Sequence, residues 1–254
     1  NVKMIIQIIG LPGSGKTTLA EVLKNKLNAV HLNADYVRST INADLGFSIE
    51  DRIEHARRLG EIARMLSGQG HHVVVDFICP TKETRYAFGN PDKIIWMRRT
   101  PTRNFDDTTL MWEIPTKFDL AFDDDIELEQ KVKIAIWDFK LHDWREPTTL
   151  MLGRYQPWHE GHHALYTEAQ QRTKQVMLGI RDTYKTSDKD PLKFDEVKSY
   201  IDKDPYMEKA MVIKMPNITN IVYGRDVGYK IEQVKLEDEI EAISATQKRK
   251  EMGI

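Results

Sequence analysis

Lys16 and Thr17 close an eight-residue run, Gly10-Leu11-Pro12-Gly13-Ser14-Gly15-Lys16-Thr17, between the apolar stretch Met4–Ile9 and a helical pattern that starts near Thr17. Glycine at 10, 13 and 15 lets consecutive backbone N–H groups turn toward one anion, and the helix that follows adds its positive N-terminal end. In such a loop Lys16 reaches the outer phosphates of ATP, Thr17 offers its hydroxyl to Mg²⁺, and Ser14 and Thr18 flank them. A second set lies in Gly153-Arg154-Tyr155-Gln156-Pro157-Trp158-His159-Glu160-Gly161-His162, where two imidazoles stand three residues apart at a helix start. Imidazole N–H groups can donate to phosphate oxygens and stabilise the charge that builds as pyrophosphate departs. Near the C-terminus Ser244, Thr246 and Arg249 supply a helix cap, hydroxyls and a guanidinium suited to the same triphosphate.

The elements that position these groups read as alternating strands and helices. Met4–Ile9 suits a central parallel strand covered on both faces, followed by a helix over Thr17–Asn28 and a second strand at Val30–Leu32. That strand delivers Asn33-Ala34-Asp35-Tyr36-Val37-Arg38 to its carboxyl end, where open α/β sheets bind ligands. A long helix over Ile53–Gly68, strands at His72–Phe77 and Ile94–Met97, and a closing helix over Ile126–Ile136 complete a first domain spanning 1–141. His142–Pro147 reads as a linker. Thr148–Leu152 then restarts the strand-glycine-helix pattern, which predicts a second nucleotide-binding domain over 148–254 with strands at Gln175–Ile180, Met211–Lys214 and Asn220–Tyr223. Helical patterns cover Phe194–Lys203 and Asp204–Ala210, and the polar Thr183–Pro191 reads as a loop. The fold class expected is α/β, two tandem doubly wound parallel sheets.

From the phosphate loop to Pro115 the chain resembles adenylylsulfate kinase. The resemblance rests on the loop with Thr18, then Asp35-Tyr36-Val37-Arg38, then Asp44–Arg52, Arg57-Arg58 and Glu61, and finally Trp112-Glu113-Ile114-Pro115. It implies a kinase fold that moves the γ-phosphoryl of MgATP to a nucleotide hydroxyl. It further implies that Arg38 and Arg52 grip the acceptor's phosphosulfate, that Phe47 stacks on its adenine, that His55 lies in the acceptor pocket, and that Asp35 lies beside metal and attacking hydroxyl. Asn33 stands where that family has an aspartate, Cys79 replaces a serine, and the family's lysine-rich lid is shortened to Thr100–Thr109. The second half resembles the nucleotidylyltransferases, the superfamily of cytidylyltransferases and nicotinamide-mononucleotide adenylyltransferases. Here the resemblance implies that Gly153, Arg154, Gln156, His159, His162, Ser244, Thr246 and Arg249 hold the nucleotide. The acceptor phosphate would then attack the α-phosphorus directly.

Composition narrows the partners. A net charge of −2, with 41% hydrophobic and 30% charged residues, describes a globular protein with no electrostatic case for nucleic acid. Arg57, Arg64, Asp44 and Asp51 read as helix-face and turn residues, and His71, His72 and His163 as surface or strand-edge residues. A single cysteine leaves no disulfide framework or thiolate zinc site, and no apolar run approaches the roughly 20 residues that span a bilayer. With no signal-peptide pattern at Asn1, the expectation is a cytoplasmic bifunctional transferase that uses Mg²⁺, ATP or CTP, and small anionic acceptors such as adenylylsulfate or a phosphate monoester. A homodimer is left open. The competing reading keeps one active nucleotidylyltransferase and makes the first half a nucleotide sensor.

Overall fold

Strand β1 (Ile5–Gly10) is buried along its whole length, as a continuous isoleucine-rich run at the centre of a sheet demands. It appears in a computed structural model that describes residues 3–98, 106–183, 187–208, 210–225, 228–241 and 243–253. The chain divides into two compact units that meet between Arg145 and Glu146. In the first, β1, β2 (Val30–Asn33), β3 (Val73–Asp76), β4 (Lys93–Met97) and β5 (Leu120–Phe122) form a parallel sheet in the order β2-β3-β1-β4-β5. Between these strands run α1 (Lys16–Leu27), α2 (Ala34–Ser39), α3 (Ile49–Gly68), α4 (Lys82–Phe88) and α5 (Asp106–Leu110), and α6 (Leu128–Asp138) follows β5.

Two apolar cores sandwich this sheet. One packs Ile6 and Ile8 against Leu19, Leu23, Val132 and Ala135, and the other packs Ile5 and Ile9 against Val37, Leu59 and Ala63. Alternate residues of one strand thus feed opposite cores, each fully buried isoleucine stabilising the fold by roughly 1.5–3 kcal/mol. The sequence boundaries shift by a few residues: α3 begins at Ile49, where Ser48 accepts from the Asp51 N–H as its N-cap. His72 is a correction, since it is buried and its Nδ1 accepts from the Met4 N–H, with burial drawing its pKa to about 4.

The second unit holds β6 (Thr148–Gly153), β7 (Gln175–Arg181) and β8 (Met211–Met215) in one parallel sheet. Its helices are α7 (Glu160–Gln170), α8 (Phe194–Asp202), α9 (Asp238–Glu241) and α10 (Ala245–Met252). The expected doubly wound sheet is not formed there among the described residues. Asn220–Tyr223 is not a strand: its backbone is irregular, and Ile221, Val222 and Tyr223 are exposed. β-propensity expresses fit to a half-buried pleated surface, and among the described residues no strand pairs with this run to supply one. The expected helix over Asp204–Ala210 shrinks to one 3₁₀ turn, Pro205–Met207. The described residues exclude 100–105 of the shortened lid segment, 184–186 of the polar loop, and Asp226 and Val227. Among the described residues no helix is long and apolar enough to cross a membrane.

Candidate functional site

The carboxyl ends of β1, β2 and β3 open onto a cleft of about 470 Å³ in the first unit. The turn out of β1 needs its glycines. Gly10 has φ 153°, and a side chain there would bring Cβ to 2.6 Å from the Met97 carbonyl, while Gly15, at φ 83°, starts α1. Gly13 also takes a positive φ, 77°. Lys16 is only 8% exposed and donates from Nζ to the Leu11 carbonyl at 2.9 Å. Burial draws its pKa down to about 8, against the opposing pull of Asp76 and Asp35. Ser14 Oγ is buried within the loop without a hydrogen-bond partner, and Thr17 and Thr18 are exposed at the start of α1.

Lys16, Thr17, Asp35, Arg38, Phe47, Arg52 and His55 all line this one cleft. Phe47 is 70% exposed, which removes core packing as the reason for its ring. Arg38 and Arg52 flank it, with guanidinium carbons 5.1 and 5.6 Å from the ring centroid. Both are tied to the same loop, Arg38 Nη1 donating to the Gly46 carbonyl and Arg52 Nε to the Phe47 carbonyl at 2.9 Å. An exposed aromatic ring between two cations can receive a flat, anionic ligand. His55 is 3% exposed, with Nδ1 2.8 Å from the Asn42 amide, and burial followed by the charge of Arg38 lowers its pKa to about 4. It therefore meets a ligand as neutral imidazole. By contrast Arg57 and Arg58 pair with Glu54, Arg58 also grips Asp44, and Asp51 accepts from the Gly46 N–H, all of them structural roles on the α3 surface.

Asp76 is the group that the sequence reading missed. It ends β3, is 2% exposed, and accepts from Thr17 Oγ1 at 2.5 Å, His31 Nε2 at 2.7 Å and Asn33 Nδ2 at 3.2 Å. Burial alone would raise its pKa, yet the hydrogen bonds from His31, Thr17 and Asn33 hold it below the usual carboxylate range. Burial likewise pulls His31 down, but Asp76 and Glu21 outweigh that and raise it. An aspartate directly after Val73-Val74-Val75, on the strand next to the phosphate loop, was the available signal. Cys79 is buried and free, its thiol pushed up to about 12 by burial, so it offers no nucleophile.

In the second unit a cleft of about 410 Å³ is lined by Arg154, Tyr155, Gln156, His162, Lys189, Ala245, Thr246 and Arg249. Arg249 spans 93 residues of sequence to donate to the Gln156 carbonyl at 2.7 Å, and also donates to Thr246 Oγ1 at 3.1 Å. His159 caps α7 by accepting the Gly161 N–H, and its ring stacks on His162 at 3.8 Å. His162 Nδ1 is buried without a partner, and burial, then the charge of His159, lowers its pKa to about 3. Ser244 is the N-cap of α10, and Arg154 is paired with Asp190 at 3.0 Å. Gln156 departs from its expected part as a ligand group, because its amide is engaged at both ends by the Leu192 backbone at 2.8 Å. Gly153 leaves room for the Tyr155 ring, whose atoms would lie 2.6 Å from an added Cβ.

The five-stranded parallel sheet and its glycine loop define the first unit as a P-loop kinase domain. The family of adenylylsulphate kinases matches residues 2–91. The adenylyl-sulfate kinase of Pseudomonas entomophila (strain L48) is 32% identical over 163 residues, covering 53% of this chain and 78% of that protein. The chain therefore belongs to the adenylylsulfate kinase family. That of Bacillus licheniformis is 46% identical over 86 residues, 32% of this chain, and the match spans only 44% of its length. Among solved structures, a Mycobacterium tuberculosis APS kinase in complex with AMPPNP and APS is similar, with 25% identity, a TM-score of 0.48, and coverage of 54% of this chain and 98% of that one.

Proposed function

We propose that the first unit transfers the γ-phosphoryl group of MgATP to a hydroxyl of adenylylsulfate, and that the second unit is a nucleotidylyltransferase. One observation carries the first part: a single cleft is lined both by the phosphate-loop residues Pro12, Gly13, Lys16 and Thr17 and by Arg38, Phe47 and Arg52, so that both substrates of a phosphoryl transfer can meet there. Lys16 and the N-terminus of α1 neutralise the triphosphate. Arg38 and Arg52 hold the acceptor's sulfate and phosphate oxygens, Phe47 stacks on its base, and His55 meets it as a neutral partner. The acceptor oxygen forms a bond to the γ-phosphorus as the bond to ADP breaks, and its proton passes to Asp35, which is exposed in the cleft. Asp76 is unsuited to that transfer, because its oxygens already accept from three side chains.

Mg²⁺ fits the donors present, since the Thr17 hydroxyl and the Asp76 carboxylate are hard oxygens at one point beside the loop. Among the described residues no cluster of three or more acidic, histidine or cysteine side chains could hold a metal, so the ion would also need the triphosphate's oxygens. When bound, it neutralises charge on the phosphates. For the second unit, supporting observations are the meeting of His162, Thr246 and Arg249 in one cleft and a surplus of cationic side chains there. Its nucleotide, ATP or CTP, would place its triphosphate against these groups.

The acceptor assignment is tested by Phe47→Ala. With Phe47 solvent-exposed, the change should leave the unfolding midpoint and the KM for ATP unaltered while raising the KM for adenylylsulfate about tenfold or more, as expected for a lost base stack of 1–3 kcal/mol. An unchanged KM for adenylylsulfate would refute the proposed stack.

A further inference from the structure

Asn33 and Asp76 are register partners on the adjacent parallel strands β2 and β3, at the carboxyl edge beside the phosphate loop. The Asn33 amide cannot be turned around: its Oδ1 caps α2 by accepting the Tyr36 N–H at 2.9 Å, which commits Nδ2 to the other side. There Nδ2 lies 3.2 Å from each carboxylate oxygen of Asp76. An aspartate at 33 would replace that hydrogen bond with a carboxylate–carboxylate contact at about that separation, which like charges disfavour. His31, on the same strand, bridges Asp76 at 2.7 Å and Glu21 at 2.8 Å. Both partners accept only, so both ring nitrogens donate.

We propose that positions 33 and 76 work as one amide–carboxylate pair: the carboxylate stands on β3 at Asp76, and Asn33, His31 and Glu21 are positioning residues that hold it beside Thr17. This inference rests on the reading of the first unit as an Mg²⁺-dependent ATP-using domain, and goes beyond it by stating which residues set the orientation of the metal-facing carboxylate.

The test uses the 254-residue chain with Asn33→Asp, Asp76→Asn and the double variant. Urea unfolding in EDTA reads the charge exchange without any ligand, and electron paramagnetic resonance of free Mn²⁺ in the presence of ATP reads the metal site. Asn33→Asp alone should lower the folding equilibrium constant tenfold or more, and the same change made on Asp76→Asn should cost little, so the two effects are not additive. Asp76→Asn should weaken ATP-dependent Mn²⁺ binding about tenfold, with recovery in the double variant. Additive unfolding effects, or Mn²⁺ binding that Asp76→Asn leaves intact, would overturn the proposal. Should Asp76→Asn not fold, His31→Ala and His31→Gln decide it. The alanine should weaken Mn²⁺·ATP binding while sparing ATP binding in EDTA, the glutamine should restore it through its N–H donor, and equal losses in both would count against positioning. Absence of transfer to adenylylsulfate in the unmodified chain would refute the acceptor assignment and leave these readouts unaffected.

Discussion

Lys16→Ala should lower kcat/KM for ATP-dependent phosphoryl transfer by about 10²–10³-fold, the usual cost of removing one preorganised donor from developing charge. The ammonium is buried at the loop, already desolvated, and held by the Leu11 carbonyl, so the protein has met the cost of bringing it out of water before ATP arrives. That preorganisation is why the effect is large. Arg38 and Arg52 cannot substitute, because both are anchored to the Gly46-Phe47 backbone. Stability should barely change, since removing a buried ammonium also removes its desolvation penalty. Steady-state rates beside a thermal melt check both halves of the expectation, and retention of more than a tenth of the activity would show that Lys16 does not face the transferred phosphate.

The second large effect belongs to the other unit. On the nucleotidylyltransferase reading proposed for that unit, His162→Ala should reduce nucleotidyl transfer from ATP or CTP about 10²-fold or more and leave first-unit phosphoryl transfer untouched. His162 lines its cleft and has a buried Nδ1 without a partner, and with a pKa drawn to about 3 it is neutral through the physiological range. Its protonation therefore contributes no limb to the rate profile between pH 5 and 8, because a lowered histidine pKa leaves the ring uncharged everywhere above it. Release of pyrophosphate with phosphate monoesters as acceptors is the assay. Equal loss in both activities would point to a folding defect, and no loss would place the chemistry elsewhere.

The phosphate loop was legible because its chemistry is written in backbone freedom, and glycine at 10, 13 and 15 is what the positive φ values require. Arg38, Phe47 and Arg52 were legible only through resemblance, since nothing in their spacing tells that an exposed ring will sit between two guanidiniums. Asp76 escaped because a lone aspartate after three valines reads as a strand end, and its importance arises from register with Asn33 and proximity to Thr17. Asn220–Tyr223 misled in the opposite sense: its composition suits a strand, but strand formation depends on a partner that sequence does not display. Gln156 has the chemistry of a ligand group, and only the fold shows its amide consumed by the Leu192 backbone.

The most direct measurement incubates the 254-residue chain with MgATP and adenylylsulfate and follows ADP and the 3′-phosphorylated acceptor together. The account predicts equimolar appearance of the two products, dependent on both substrates. ATP bound at the loop with no phosphorylated acceptor formed would contradict it.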